Sequence, residues 1–250
     1  MMQAVLLTLL AGMATGAGGI LGVMRFPKRT TMAGSMGFAA GVMVTLSLLD
    51  LLPHALGHYQ QRMGALPGTW AGISLLCLGM ATAGIMESLL PQPEQTKEKD
   101  RMLRTAALTT LVLMLHNLPE GVVTLFGTLQ APQLGVSRAL AVALHNLPEG
   151  VTVALPLYYA TGSRTRALLG AFASGLTEPL AALLAYALLG AFLNQSMLSG
   201  MLAWTAGIMC WISLAELLPS GLELGCRRQV TLGFGAGLVV MVAAMGMLGH

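Results

Sequence analysis

Residues Leu115 to Val122 read LHNLPEGV, and residues Leu144 to Val151 repeat the same run 29 residues later. Each copy holds a histidine and a glutamate four positions apart, His116 with Glu120 and His145 with Glu149, inside a long apolar stretch. On an α-helix that spacing puts both side chains on one face. Imidazole and carboxylate are good ligands for a borderline divalent cation such as zinc, and two helices so equipped can converge on one ion or two. A single HxxxE in an apolar helix has a bland alternative, an interhelical polar pair held by hydrogen bonds. Two identical copies, joined by Glu178 in SGLTEP (Ser174 to Pro179), favour the ligand reading.

The neighbours of these residues extend the expectation. Asn117 and Asn146 sit one position on, about 100° round the helix, where their carbonyl oxygens can serve an adjoining second metal together with Glu178. Glu120 and Glu149 would then bridge the two ions. Pro119 and Pro148 remove the hydrogen bonds otherwise accepted by the carbonyls of Leu115 and Leu144, which leaves oxygens in need of a partner. Gly121 and Gly150 are expected to keep the two motif-bearing backbones close.

The elements that must position these groups are membrane helices. The chain has 250 residues, 55% of them hydrophobic and 9% charged, with a mean hydropathy of +0.74, far too apolar for an ordinary soluble domain. A bilayer core needs about 20 apolar residues per helical span. Eight such runs are predicted, at 2–24, 31–53, 70–90, 105–128, 136–159, 166–192, 197–220 and 227–248, in a single transmembrane domain covering 1–250. The first lacks a basic leader and a clean cleavage site, so it reads as a retained helix. Residues 91–104 (PQPEQTKEKDRMLR) form the strongly polar segment and are expected to be a solvated cytoplasmic linker.

Charge distribution sets the predicted orientation. Eleven of the thirteen basic residues fall in the loops after helices 1, 3, 5 and 7, and only Arg62 and Arg138 fall on the other side. The positive-inside rule then puts those loops in the cytoplasm and both termini outside, in a plasma membrane. Six of the ten acidic residues (Asp50, Glu87, Glu120, Glu149, Glu178 and Glu216) lie within the apolar spans, whereas every lysine and arginine lies in a loop or at a helix end. An unpaired charge at the bilayer centre costs at least ~2.5–3.5 kcal/mol, so these carboxylates are protonated when empty or neutralised by an imported cation. Either answer points to ion transport. Asp50 and Glu216, near the ends of their helices, are candidate points on the metal path at opposite faces. Glu87 reads as interfacial, and His54, His58 and His250 as lone histidines on the outer side.

A second internal match reveals the architecture. GVMVTLSLLDLLP (Gly41 to Pro53) and GIMCWISLAELLP (Gly207 to Pro219) share seven of thirteen positions, align Asp50 with Glu216, and are expected to end their helices at a proline. Helices 2 and 7 run in opposite directions, as do helices 4 and 5. The simplest arrangement with both matches is an all-α membrane protein with helices 1–3 and 6–8 as inverted repeats around a central pair, a 3+2+3 bundle. Inverted repeats recur in secondary transporters, whose sites lie near the midplane.

Other classes fit less well. Cys77, Cys210 and Cys226 are scattered singly, against disulfides and thiolate metal sites. No basic residue is expected to cluster with exposed aromatics, against nucleic-acid binding. A membrane-embedded metal-dependent hydrolase is one alternative, but no HExxH occurs and a hydrolase needs one asymmetric site with a base and an oxyanion stabiliser. A metal receptor that binds without conducting is another. The expectation is a transporter and not an enzyme, with no cofactor other than the transported ion.

The paired HNLPEG motifs, SGLTEP, GFAAG in helix 2 and SLAELLP in helix 7 resemble the ZIP (Zrt-/Irt-like) family of divalent metal transporters, in its bacterial type, along essentially the whole chain. The resemblance implies zinc uptake into the cytoplasm across the bacterial inner membrane, with iron, manganese, cobalt or cadmium as further substrates. It implies paired sites formed by His116, Asn117, Glu120, His145, Asn146, Glu149 and Glu178, with Met43 in the region of an additional contact to the metal path. It also implies that helices 1, 4, 5 and 6 move against a scaffold of helices 2, 3, 7 and 8, often in a homodimer. The chain departs from relatives in three places. The loop after helix 3 lacks a histidine-rich tract, Asn146 stands where some members have aspartate, and Ala215 precedes Glu216 where a second acid is frequent.

Overall fold

The computed structural model describes residues 1–24, 29–89, 98–130, 132–190, 192 and 194–248. These residues form eight long helices: α1 Met2–Met24, α2 Arg29–Met63, α3 Ala65–Leu89, α4 Glu98–Gln130, α5 Gly135–Thr161, α6 Arg164–Leu189, α7 Gln195–Glu223 and α8 Arg227–Leu248. No strand occurs among the described residues. Seven of the eight are long and apolar enough to cross a membrane. The remaining one, α4, has 33 residues and carries the first HNLPEG motif. The chain is a multi-pass membrane protein.

Local chemistry sets several helix boundaries. Asn194 caps α7, its side-chain oxygen accepting from the Met197 N–H at 3.1 Å, which satisfies one of the orphan donors of a first turn. Ser163 caps α6 in the same way through Arg166. Gly64 (φ 91°) separates α2 from α3, a left-handed turn that a side chain would strain.

Two expectations change. Helices 2 and 7 do not end at Pro53 and Pro219. Each passes through a widened π-helical stretch, Ser47–Leu51 in α2 and Ile212–Leu217 in α7, and then continues as α-helix. The N–H of Leu52 reaches back five residues to the Ser47 carbonyl, and that of Leu218 to the Ser213 carbonyl. The extra residue in the turn offers a way round the clash between a proline ring and the carbonyl four residues earlier. Second, the polar segment is helical from Glu98, so its later half extends α4. Residues 91–97 of that segment, Arg25, Lys28 and His250 lie outside the described residues.

Packing divides the bundle. Helices α1, α4, α5 and α6 form one group, in which α1 lies along α5 and α6 and α4 lies along α6 and α5. In the other, α2 pairs with α8 and α3 with α7, while α2 also touches α5 and α7 touches α4 across the two groups. The first group carries both HNLPEG motifs and the SGLTEP segment.

Candidate metal centre

Pro119 and Pro148 each lie inside a helix that continues through them, so both motifs keep their i, i+4 facing. Glycines let α1, α4, α5 and α6 approach one another: Gly12 of α1 packs on the Gly175 carbonyl of α6, and two matched motif positions make the remaining contacts. A Cβ added at Gly121 would overlap the Glu178 carbonyl of α6, and one at Gly150 would overlap the Thr15 carbonyl of α1. This corrects the expectation that these glycines hold the two motif helices against each other. Gly121 docks α4 on α6, and Gly150 docks α5 on α1.

The docking buries a polar cluster. His116, Asn117, His145, Asn146 and Glu178 have no exposed surface, and Glu120 and Glu149 are nearly as enclosed. His145 Nε2 lies 2.6 Å from Glu120 Oε1, a contact between α5 and α4, while His116 Nε2 is 3.7 Å from Glu120 Oε2 on its own helix. One ligand atom from each of His116, Glu120, His145 and Glu149 lies within 4.8 Å of all the others. Around a tetrahedral ion with bonds of about 2.0–2.2 Å, neighbouring ligand atoms are about 3.4 Å apart. The four atoms are thus within small adjustments of that spacing: His145 and Glu120, at 2.6 Å, must part slightly, and the wider pairs must close.

The asparagines link this cluster to Glu178. Asn117 Nδ2 donates to Glu149 Oε1 at 2.8 Å and, at 3.3 Å, to the carbonyl and the hydroxyl of Ser174. Asn146 Nδ2 donates to Glu178 Oε1 and to the Ala11 carbonyl of α1 at 2.9 Å. Ser174 Oγ in turn donates to Glu149 Oε1 at 3.3 Å. With the amide nitrogens so employed, Asn117 Oδ1, Asn146 Oδ1, Glu120 Oε2, Glu149 Oε2 and Glu178 Oε2 are buried with no hydrogen-bond partner, as are both ring nitrogens of His116. Buried polar atoms are ordinarily satisfied. A group of orphaned acceptors with no lysine or arginine among them is the donor set of a cation site.

The seven expected site residues are thus brought together, His116, Glu120, His145 and Glu149 as a compact group and Glu178 attached through Asn146. Met43 is instead buried in an apolar core with Met209 and Ile212. Asp50 and Glu216 stand outside the group of four, both in the π-helical stretches. Asp50 lines a cavity of about 310 Å³ with Glu120 as one wall, and it pairs with His54 at 3.2 Å, which is therefore not a lone histidine. Glu87, near the end of α3, accepts a hydrogen bond from Trp211 Nε1 at 2.8 Å. Ser174 is the residue that motif reading passed over. Its position four before Glu178, on the same helical face, is the signal that could have found it.

Comparison with known proteins agrees with this geometry. The profile of the family described as ZIP Zinc transporter matches residues 86–249. The chain is 39% identical over 252 residues to the zinc transporter ZupT of Corynebacterium aurimucosum, covering 96% of this chain and 95% of that protein. It is 39% identical over 259 residues to the ZupT of Akkermansia muciniphila, with 96% and 95% covered. Against the ZupT of Clostridium perfringens the figure is 34% over 273 residues, with 98% and 95% covered. A buried histidine and carboxylate cluster on two motif-bearing membrane helices, and similarity along nearly the full length of these proteins, place the chain in the ZIP zinc transporter family.

Proposed function

We propose that this protein is a secondary transporter that carries divalent transition-metal cations, zinc first among them, across the plasma membrane into the cytoplasm. The observation that carries the reading is the set of four buried ligand atoms within 4.8 Å of one another, with no lysine or arginine in the group. His116, Glu120, His145 and Glu149 hold the ion, and Asn117, Asn146 and Glu178 extend the site towards a second. Ser174 orients Glu149. Ligands of this type suit zinc, and imidazole also suits iron and other first-row metals, so iron, manganese and cobalt belong in the same test, with cadmium as zinc's heavier congener.

Orientation and architecture complete the proposal. Both termini face outward in this reading, which the distribution of basic residues supports, and in a bacterium the membrane is the inner one. The 3+2+3 inverted repeat is supported by paired local features. Ser47 and Ser213 each bond back to a methionine carbonyl four residues earlier, at 2.7 Å in both cases. Gly41 packs on the Phe234 carbonyl of α8, and its counterpart Gly207 packs on the Leu76 carbonyl of α3. Movement of α1, α4, α5 and α6 against the other four helices is supported by the way the helices associate. Helices α3 and α8 bury only 17% of their apolar windows, which leaves their faces to lipid and to a second copy in a homodimer.

The decisive experiment is zinc uptake into proteoliposomes with an internal fluorescent reporter, run beside iron, manganese and magnesium. Saturable zinc entry that Glu120→Ala abolishes is the expected result. Tight zinc binding without entry would instead make the protein a receptor.

A further inference from the structure

The cavity of about 310 Å³ beside the cluster has a composition that a passage for cations does not obviously call for. Its walls come from α2, α4, α5 and α7. It opens at His54 and Gln195, both exposed, and reaches inward to the nearly buried Glu120. Asp50, only 14% exposed at its side chain, lies between these ends in the π-helical stretch of α2, 3.2 Å from the His54 imidazole. Opposite, from α5, the half-buried Arg138 also lines the cavity, with Nη1 donating to the Gly127 carbonyl of α4 at 2.6 Å. A guanidinium does not lose its proton in a protein, so this positive charge is permanent.

Size makes the charge matter. A rounded cavity of this volume is about 8 Å across, no more than the screening length of roughly 8 Å at physiological salt. A dication inside it therefore feels both the Asp50 carboxylate and the Arg138 guanidinium. His54 Nδ1 donates to the Asp50 backbone carbonyl at 2.8 Å, which leaves Nε2 as the ligand atom. Without the arginine, that Nε2, the Asp50 carboxylate and Glu120 on the inner wall would offer a transition metal a sound set of ligands. Conduction needs sites that admit an ion yet bind it weakly enough to release it.

We propose that Arg138 sets the charge of this vestibule and keeps it a passage: its guanidinium offsets the Asp50 carboxylate, so an arriving dication moves on to Glu120 and is not held between Asp50 and His54. The inference rests on the reading of the buried cluster as the transported-metal site. Arg138 is a positioning and charge-setting residue here, and it contacts no metal. The competing role is a purely mechanical one, in which the hydrogen bond to Gly127 ties α5 to α4.

Zinc binding per chain by equilibrium dialysis of the purified protein in nanodiscs, together with initial uptake rates in proteoliposomes, separates the two. Arg138→Gln should bind one more zinc per chain than the wild type, with a several-fold lower half-saturating concentration and a lower maximal rate. Adding Asp50→Asn to that variant should return the stoichiometry to the wild-type value, and Arg138→Lys, which keeps the charge, should behave as wild type. Wild-type stoichiometry and half-saturation in Arg138→Gln would overturn the proposal, as would Arg138→Lys behaving like Arg138→Gln. Should Arg138→Gln fail to insert, Asp50→Asn alone provides the test. It leaves the guanidinium uncompensated and should raise the half-saturating concentration several-fold, and no change would again overturn the idea. A wild-type protein that binds zinc but does not move it defeats the transporter reading while leaving the stoichiometry comparison intact.

Discussion

His145 on α5 and Glu120 on α4 meet at 2.6 Å, closer than Glu120 meets His116, its own helical neighbour, at 3.7 Å. The two motifs therefore act as one cluster across a helix interface. Each supplies the partner that the other lacks.

Loss of Glu120 should therefore remove the shared element of the cluster. Glu120→Ala leaves two buried histidines without a common carboxylate, and the expected loss of metal affinity is at least the ~10–100-fold seen when even outer partners of a metal site are removed. Surface expression and zinc uptake, measured on the same cells, check this. Near-normal uptake by correctly inserted Glu120→Ala protein would sink the assignment.

Ser174→Ala should have a milder effect of a different kind. The hydroxyl donates to Glu149 Oε1 and accepts from Asn117, so its loss loosens a ligand without deleting one. Half-saturating zinc should rise by about tenfold, with little change in the maximal rate. An unchanged half-saturation would mean that Glu149 is oriented by Asn117 alone.

Gly150→Ala tests the close approach of α1 and α5. The new Cβ would run into the Thr15 carbonyl, and overpacking of this kind costs about 1–3 kcal/mol. Gly57→Ala is the matched control, because nothing lies within 4 Å of a Cβ added there, and a helical alanine should stabilise by about 0.4–1 kcal/mol. Thermal unfolding in detergent should move in opposite directions for the two variants. Equal shifts would refute the packing account.

Protons and metal must compete for the cluster. Metal takes carboxylates in their ionised form and imidazoles in their neutral form, so binding releases any protons these atoms carried. Apparent zinc affinity should weaken progressively as external pH falls below neutrality. Calorimetric titration in two buffers of different ionisation enthalpy counts the released protons. A count of zero, with affinity independent of pH, would contradict this expectation.

Orientation has a direct chemical check. In a background without native cysteines, a cysteine placed between α3 and α4 should resist an impermeant thiol reagent in intact cells, and one at the C-terminus should react. The reverse pattern would invert the proposed topology.

The amino-acid sequence by itself determined whatever depends on spacing along one helix. His116 and Glu120, and His145 and Glu149, share a face because a helix turns every 3.6 residues, and the apolar runs require a membrane because their hydropathy is a local sum. The duplicated motifs singled out six of the seven cluster residues, and the SGLTEP segment added Glu178. The π-helical stretches before Pro53 and Pro219 were not legible, since a proline marks a break in a helix without specifying how the chain accommodates it. Tertiary structure alone decided that Gly121 meets α6 and Gly150 meets α1, and with that choice came the partners: Glu120 with His145, Asn117 with Glu149 and Ser174, Asn146 with Glu178. It also decided that Arg138, a residue near a helix start, shares a cavity with Asp50 and Glu120. These relationships join residues from different helices, and the distance between helices is set by which backbones can touch, a property of the packed bundle that no spacing along the chain encodes.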